Sequence, residues 1–491
     1  SLSTLKAGLD LKEKLLENQR NFYKDALIQA DKYPVKGYLF SEPDDKGRVN
    51  EFIRILLAHQ IKVYNTTRDI TKNGTVYKAG ESFIAPLKQS EYRFTRSLFE
   101  TIKDFTDSLF YDTSTWTLPL AFDLNYTALN VQKEIDGLTG QELLTSPVPT
   151  GKLESPDDPY AYLFGWNEYF SPKALYALQD AGISARVSTE KFFYSDENLK
   201  KAFSYGTIMI PASGQPYSGK DLYEIMEKTA SDCGITIYGV KTGLTVEGLD
   251  LGSSRIPVLK KPRVAMIVGE GINSNDAGEI WHLLDARFKI PVTLINSSRF
   301  GTTDLDRYNV IIIAGSPDIS SSAVDNLKSW NRKGGTLIGF ESGNNWISRN
   351  KLAEIEFVPE VPDKRRDGVY LNRNADTQAQ QIPGSIFETK LDLTHPLCFG
   401  YTRETLPVFK ATELVAKKDA SIYSNPVKYS DTPLLSGYCT KGNIERIKGA
   451  PMVSIHGSRI ISIYDDTNFR AYWYGTNKIF LNAIFFGQIL R

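Results

Sequence analysis

Apolar positions recur along this chain with two periods, and the switch from one to the other marks its organisation. Leu5, Leu9, Leu16 and Tyr23 fall near multiples of 3.6 with charges between them, the spacing of an amphipathic helix. That helix is expected to pack on whatever neighbours it. After Pro34, short apolar runs take over, each followed by a helical pattern. Strands are predicted at 37–40, 62–65 and 82–87, with helices at 48–59 and up to Glu100. The order returns as strand 160–164, a helix from Ser171, strands 183–187 and 207–211, helix 218–233 and strand 235–238. A third pass runs through strand 263–268, helix 276–288, strands 292–295 and 308–314, helix 321–332 and strand 336–340. Near-continuous β-branched runs between amphipathic helices predict parallel sheets covered on both faces. The expected fold class is therefore α/β, a tandem of flavodoxin-like units with parallel sheets.

Two Pro- and Gly-bearing or basic stretches, 145–158 and 259–262, read as linkers. They divide the chain into an N-terminal helical linker at 1–33, small α/β units at 34–150 and 151–258, and a larger unit at 259–491. In that last unit the alternation fades after Glu354, until an apolar helix at 476–490 carries Ile479, Phe480, Ala483 and Ile484 on neighbouring turns. It is expected to pack back onto the third sheet.

Charge narrows the functional classes. Lys and Arg total 58 against 58 Asp and Glu, so there is no basic excess to support a nucleic-acid groove or an anionic membrane surface. The run Asp363-Lys364-Arg365-Arg366-Asp367 reads as a solvated loop. No apolar run approaches the ~18 residues of a membrane span. Cys233, Cys398 and Cys439 are odd in number and far apart, which excludes a disulfide framework and leaves buried, inert thiols as the reading. The first residues lack a basic, apolar, small-residue signal and open inside a helical pattern, so the chain is expected to be a fragment of something longer.

The most informative local pattern is Gly334-Gly335-Thr336-Leu337-Ile338-Gly339-Phe340-Glu341-Ser342-Gly343, a strand that ends abruptly between small residues in the manner of a nucleophile elbow. The seat that holds Cys or Ser in such turns holds Glu341, which can form neither a thioester nor an acyl ester. Two readings stand: a carboxylate at a helix N-terminus that accepts hydrogen bonds from a ligand, or one that caps the turn itself. Placing Ser342 in the seat instead would put Phe340 and Asn344 where the glycines belong. His395, late in the chain, and Glu270, after the first strand of the third unit, are the natural companions, vestigial without a thiol. His282 and Asp285, one helical turn apart, are read as a surface pair rather than a metal site. Asp465 and Asp466 are adjacent and should point apart, one of them binding Arg470 or a turn amide. Trp346, Tyr472 and Trp473 are the rings that could stack on a sugar or peptide, with core packing as the plainer alternative. Gly269-Glu270-Gly271 lacks the third glycine of a dinucleotide loop.

The third unit resembles the class I glutamine-amidotransferase-like superfamily, its later part the ThuA-like branch. The elbow, Thr394-His395-Pro396-Leu397 and the closing helix carry that likeness. Longer strings are similar to the region downstream of the catalytic domain in large secreted bacterial zinc carboxypeptidases of the carboxypeptidase A class. They are 268–271, 276–285, 465–477 and Trp116-Thr117-Leu118-Pro119-Leu120-Ala121-Phe122. This resemblance implies a secreted or periplasmic, non-enzymatic chain whose partner is its own upstream peptidase domain, with a peptide or glycan as possible ligand. The zinc of that family requires a His-x-x-Glu pair. Three places after His59, His282, His395 and His456 stand Lys62, Asp285, Cys398 and Arg459, so no metal ligand and no cofactor carries over to this chain. A hydrolase using Glu341 and His395 as an acid–base pair, and a carbohydrate-binding module, are the alternatives.

Overall fold

The computed structural model describes residues 1–106, 109–110, 112–360, 369–419, 421–457 and 459–490. The charged run at 363–367 lies outside them. The chain divides into two compact units, one of Ser1–Glu100, Trp116–Pro119 and Leu124–Pro147, the other of Thr101–Thr115, Leu120–Asp123 and Val148–Arg491.

The first unit opens with helices Leu2–Asp10 and Lys12–Lys32. The predicted stripe is helical but open to solvent: Leu5 is 72% and Leu9 74% exposed, and only Ala26 and Ala30 of the second helix are buried. A five-stranded sheet follows, in the order Asn125–Leu129, Gly37–Ser41, Ser82–Pro86, Tyr64–Thr66, Thr139–Glu142. All its pairs are antiparallel, which corrects the expected parallel sheet. Strand Gly37–Ser41 is buried throughout. A strand covered on both faces carries the same unbroken apolar run whichever way its neighbours point, so composition does not encode direction.

The same correction applies to the next sheet, which lies in the second unit. Its order is Val258–Leu259, Ala185–Val187, Ile208–Pro211, Ala161–Phe164, Thr236–Val240, Lys152–Glu154, and the last pair alone is parallel. A separate antiparallel sheet joins Lys200–Phe203, Phe192–Ser195 and Glu247–Gly248.

The large sheet is different. Five strands, Val264–Val268, Val292–Asn296, Val310–Ile313, Thr336–Phe340 and Ile460–Ile463, are parallel and stand in the spatial order 2-1-3-4-5, the flavodoxin-like order. Four antiparallel strands, Pro451–His456, Val427–Ser436, Ser385–Leu391 and Thr405–Lys410, extend it to nine among the described residues. The closing helix, Asn477–Phe486, is buried at every position and sets Phe480 edge-on to Phe340 at 5.7 Å, so it does pack on this sheet. Its other face holds Trp166, whose ring lies 4.7 Å from that of Phe486 and whose Nε1 donates to Asn482 Oδ1 at 2.6 Å. The helix predicted at 276–288 is α-helical over Ser274–Trp281 and continues as a π-helical turn, His282–Arg287.

Candidate functional site

In doubly wound sheets ligands meet the carboxyl ends of the strands. At that edge strand Thr336–Phe340 stops, Glu341 takes φ 43°, and helix Gly343–Arg349 begins. A side chain other than glycine at positive φ costs on the order of 1 kcal/mol, so the turn must be held from outside. The Glu341 N–H donates to Ile463 O at 2.8 Å, and the fully buried Asn344 donates from Nδ2 to Glu341 O at 3.0 Å and Ile463 O at 2.9 Å. The flanking glycines serve close approach: a Cβ on Gly339 would stand 2.2 Å from Asn344 Oδ1, and one on Gly343 2.1 Å from Ile313 O. Ser342, at φ −62°, has ordinary helical geometry, so the strained seat belongs to Glu341.

The Glu341 side chain is buried, and its carboxyl has no hydrogen-bond partner among the described residues. Burial pushes it up to about 8, with the charges of Asp276 and Asp465 adding and Lys410 opposing. Asp276 stands in the first turn of helix Ser274–Trp281, where burial and then Glu279 push its carboxyl up to about 7. Asp466 is raised well above the carboxylate range by burial, then by Glu279 and Glu341. Asp276 Oδ2 and Asn468 Nδ2 are buried without a partner among the described residues. Asp465 is satisfied: Lys410 Nζ meets it at 2.8 Å with both side chains fully buried, and Tyr429 donates its hydroxyl to the other oxygen. The arrangement sets the buried carboxyls of Glu341, Asp276 and Asp466, each biased toward its protonated form, near the buried Lys410–Asp465 ion pair.

The other sequence candidates fall in different places. His395 lines a cavity together with Asn309, Val310, Gly334 and Thr336, which stand at the amino ends of the strands, whereas Glu341 follows a carboxyl end. The two occupy opposite ends of the sheet, and the expected Glu341/His395 pair is not formed. Burial drives His395 down to about 4, and its Nδ1 accepts from the Leu397 N–H at 3.1 Å. Glu270 is exposed on the turn after Val264–Val268. Arg470 forms a bidentate pair with Asp112 at 2.7 and 3.0 Å, and Asp466 takes the turn amide of Asn468 at 2.8 Å. Trp346 is buried with its Nε1 donating to Pro317 O, and Trp473 is fully buried against Phe409. Neither ring offers a face for stacking, so of the two expectations for Trp346 and Trp473 the structure has core packing, which follows from the hydrophobic pull on large rings. Burial raises the Cys439 thiol to about 12 and Cys233 to about 11, and pushes Cys398 up further, leaving no thiolate. Among the described residues no set of three or more His, Cys, Asp and Glu is placed to hold a metal ion.

Sequence reasoning passed over Asp276, Glu279, Lys410 and Tyr429 as site residues. The signal for the first two was there: carboxylates in the opening turn after the first strand of a doubly wound unit face the ligand edge. Lys410 and Tyr429 come from the antiparallel extension, and nothing local marks them.

No family model matches this chain, and no curated protein does. Similar solved structures include a ThuA-like protein from Bacteroides uniformis, at 14% identity over 45% of this chain and 90% of that one, with a TM-score of 0.31. A glutamine amidotransferase from Thermotoga maritima is 10% identical over 45% of this chain and 81% of its own, TM-score 0.27. Another from Methylobacillus flagellatus is 11% identical over 43% and 72%, TM-score 0.25. None of the three is a carboxypeptidase.

Proposed function

We propose that this chain is a non-catalytic accessory region of a secreted or periplasmic zinc-carboxypeptidase-like protein, and that its last unit is a degenerate amidotransferase-like domain that binds rather than acylates. One observation carries the reading: the strained elbow seat holds Glu341, a carboxyl biased toward its protonated form, among other carboxyls. Acyl transfer at such an elbow needs a thiolate or an activated hydroxyl, and a buried carboxylic acid is neither. What it does well is donate and accept hydrogen bonds to a neutral or cationic group. The peptidase parentage is supported by the strings at 116–122, 276–285 and 465–477.

The test is chemical. Incubation with an electrophilic glutamine analogue should leave Glu341 unlabelled, glutamine should release no ammonia, and zinc-supplemented protein should not trim peptide carboxyl termini. An adduct on position 341, or peptide turnover, would overturn the proposal. The reading frame upstream of Ser1 should encode a His-x-x-Glu pair; a frame without one would remove the parentage.

A hydrolase reading has one observation in its favour, the pair Asp276 and Glu341 pushed to about 7 and about 8, a range suited to general acid–base work. A screen of chromogenic glycosides, esters and amides decides it: turnover lost in Glu341→Gln would establish the enzyme.

A further inference from the structure

The cavity at the opposite end of the sheet from Glu341 is lined by cationic side chains. It measures ≈ 820 Å³, within the range of small-ligand pockets at roughly 300–1,000 Å³. One wall is the stretch 255–260, which ends the six-stranded sheet and leads to the nine-stranded one, with Arg255, Val258 and Lys260. The others are the amino ends of the parallel strands, the corner at His395 and the end of the closing helix. Arg255, Lys260 and Arg459 line it, and no Asp or Glu does among the described residues.

The three cations differ in how they are held. Arg459 is fixed, one guanidinium nitrogen donating to Gly334 O and another to Gln488 O at 3.0 Å. Those carbonyls orient its charge without neutralising it. Arg255 is exposed and paired with Glu190, and exposed Lys260 has no ion-pair partner among the described residues. His395 adds a neutral donor: its Nδ1 accepts a backbone N–H, which leaves the proton on Nε2. Tyr423, 76% exposed, and Val258, 50% exposed, supply apolar surface at the same cavity. Side-chain cations beside hydroxyl-bearing and apolar walls suit a carboxylate on a larger body, whereas a phosphate site is built on converging backbone N–H groups.

We propose that this cleft binds acidic peptides through a carboxylate held at Arg459 and Lys260, with His395 donating to it and Tyr423 covering an apolar side chain. The proposal is independent of the elbow and of the peptidase parentage.

Titration calorimetry on the full chain tests it with the peptide acetyl-Glu-Ala-Glu-Tyr-Ala and its glutamine, C-terminal amide counterpart. The acidic peptide should bind, the neutral one roughly tenfold or more weaker, with affinity falling as salt rises. Lys260→Glu changes an exposed side chain with no ion-pair partner among the described residues, so it should weaken binding by about tenfold without lowering the melting temperature. Glu341→Gln should bind as the parent does, which separates this site from the elbow. Equal binding of both peptides, no binding of the acidic one, or displacement by inorganic phosphate at comparable concentration would overturn the assignment.

Discussion

Glu341 is costly to fold in its ionised form, and its pH dependence has a definite sign. Its carboxyl rises from 4.5 in the unfolded chain to about 8 when buried, so the folded protein keeps a proton that the unfolded chain has released. The stability tied to that proton is full below about pH 4.5 and is lost as pH climbs toward 8. Glu341→Gln should therefore melt several degrees above the parent at pH 9, with the gap closing toward pH 5; no gap at pH 9 would show the carboxyl to be solvated. Lys410 behaves differently, because its loss strands Asp465 in a dry site. Lys410→Met should cost about 3–5 kcal/mol in urea unfolding, and adding Asp465→Asn should recover part of it. The seat of Glu341 could be read from the chain because glycine spacing exposes an elbow. Lys410 and Tyr429 could not, since their part in the site depends on the antiparallel strands that bring them beside Asp465.

At the level of elements, the glycines flanking the elbow are sensitive to a single methyl group. Gly343→Ala would press a Cβ to 2.1 Å from Ile313 O and should cost about 1–3 kcal/mol or more. Gly442→Ala, where nothing lies within 4 Å, is the matched control and should be neutral or stabilising by about 0.5–1 kcal/mol. Chemical denaturation of the two variants checks both. Strands and helices were legible from period and turn residues, but their direction was not: the one reading of parallel sheets holds for Val264–Val268 and its neighbours and fails for the two sheets before them. The antiparallel pairing of 37–41 with 82–86 was not legible, because direction is set by which strands become neighbours across long connections. Trp346 and Trp473 show the same limit: an aromatic in a string of aromatics reads alike whether it faces a sugar or a core.

On the scale of the molecule, the second unit borrows short pieces from far upstream. Asp112 pairs with Arg470, the Ser114 hydroxyl donates to Gly384 O at 2.8 Å, Asp123 pairs with Arg403 at 2.8 Å, and Phe122 stacks on Tyr474 at 4.4 Å. A fragment beginning at Val148 should melt about 5 °C or more below one beginning at Thr101, as differential scanning calorimetry would report; equal midpoints would make those pieces dispensable.

The interlacing also sets a timetable for biosynthesis. Residues 101–123 leave the ribosome long before Arg403, Arg470 and Tyr474 exist, and the wholly buried helix Asn477–Phe486 is made later still. The second unit therefore has no completed interior until that helix has emerged, and in that interval its open sheet surface is the natural client of a holding chaperone.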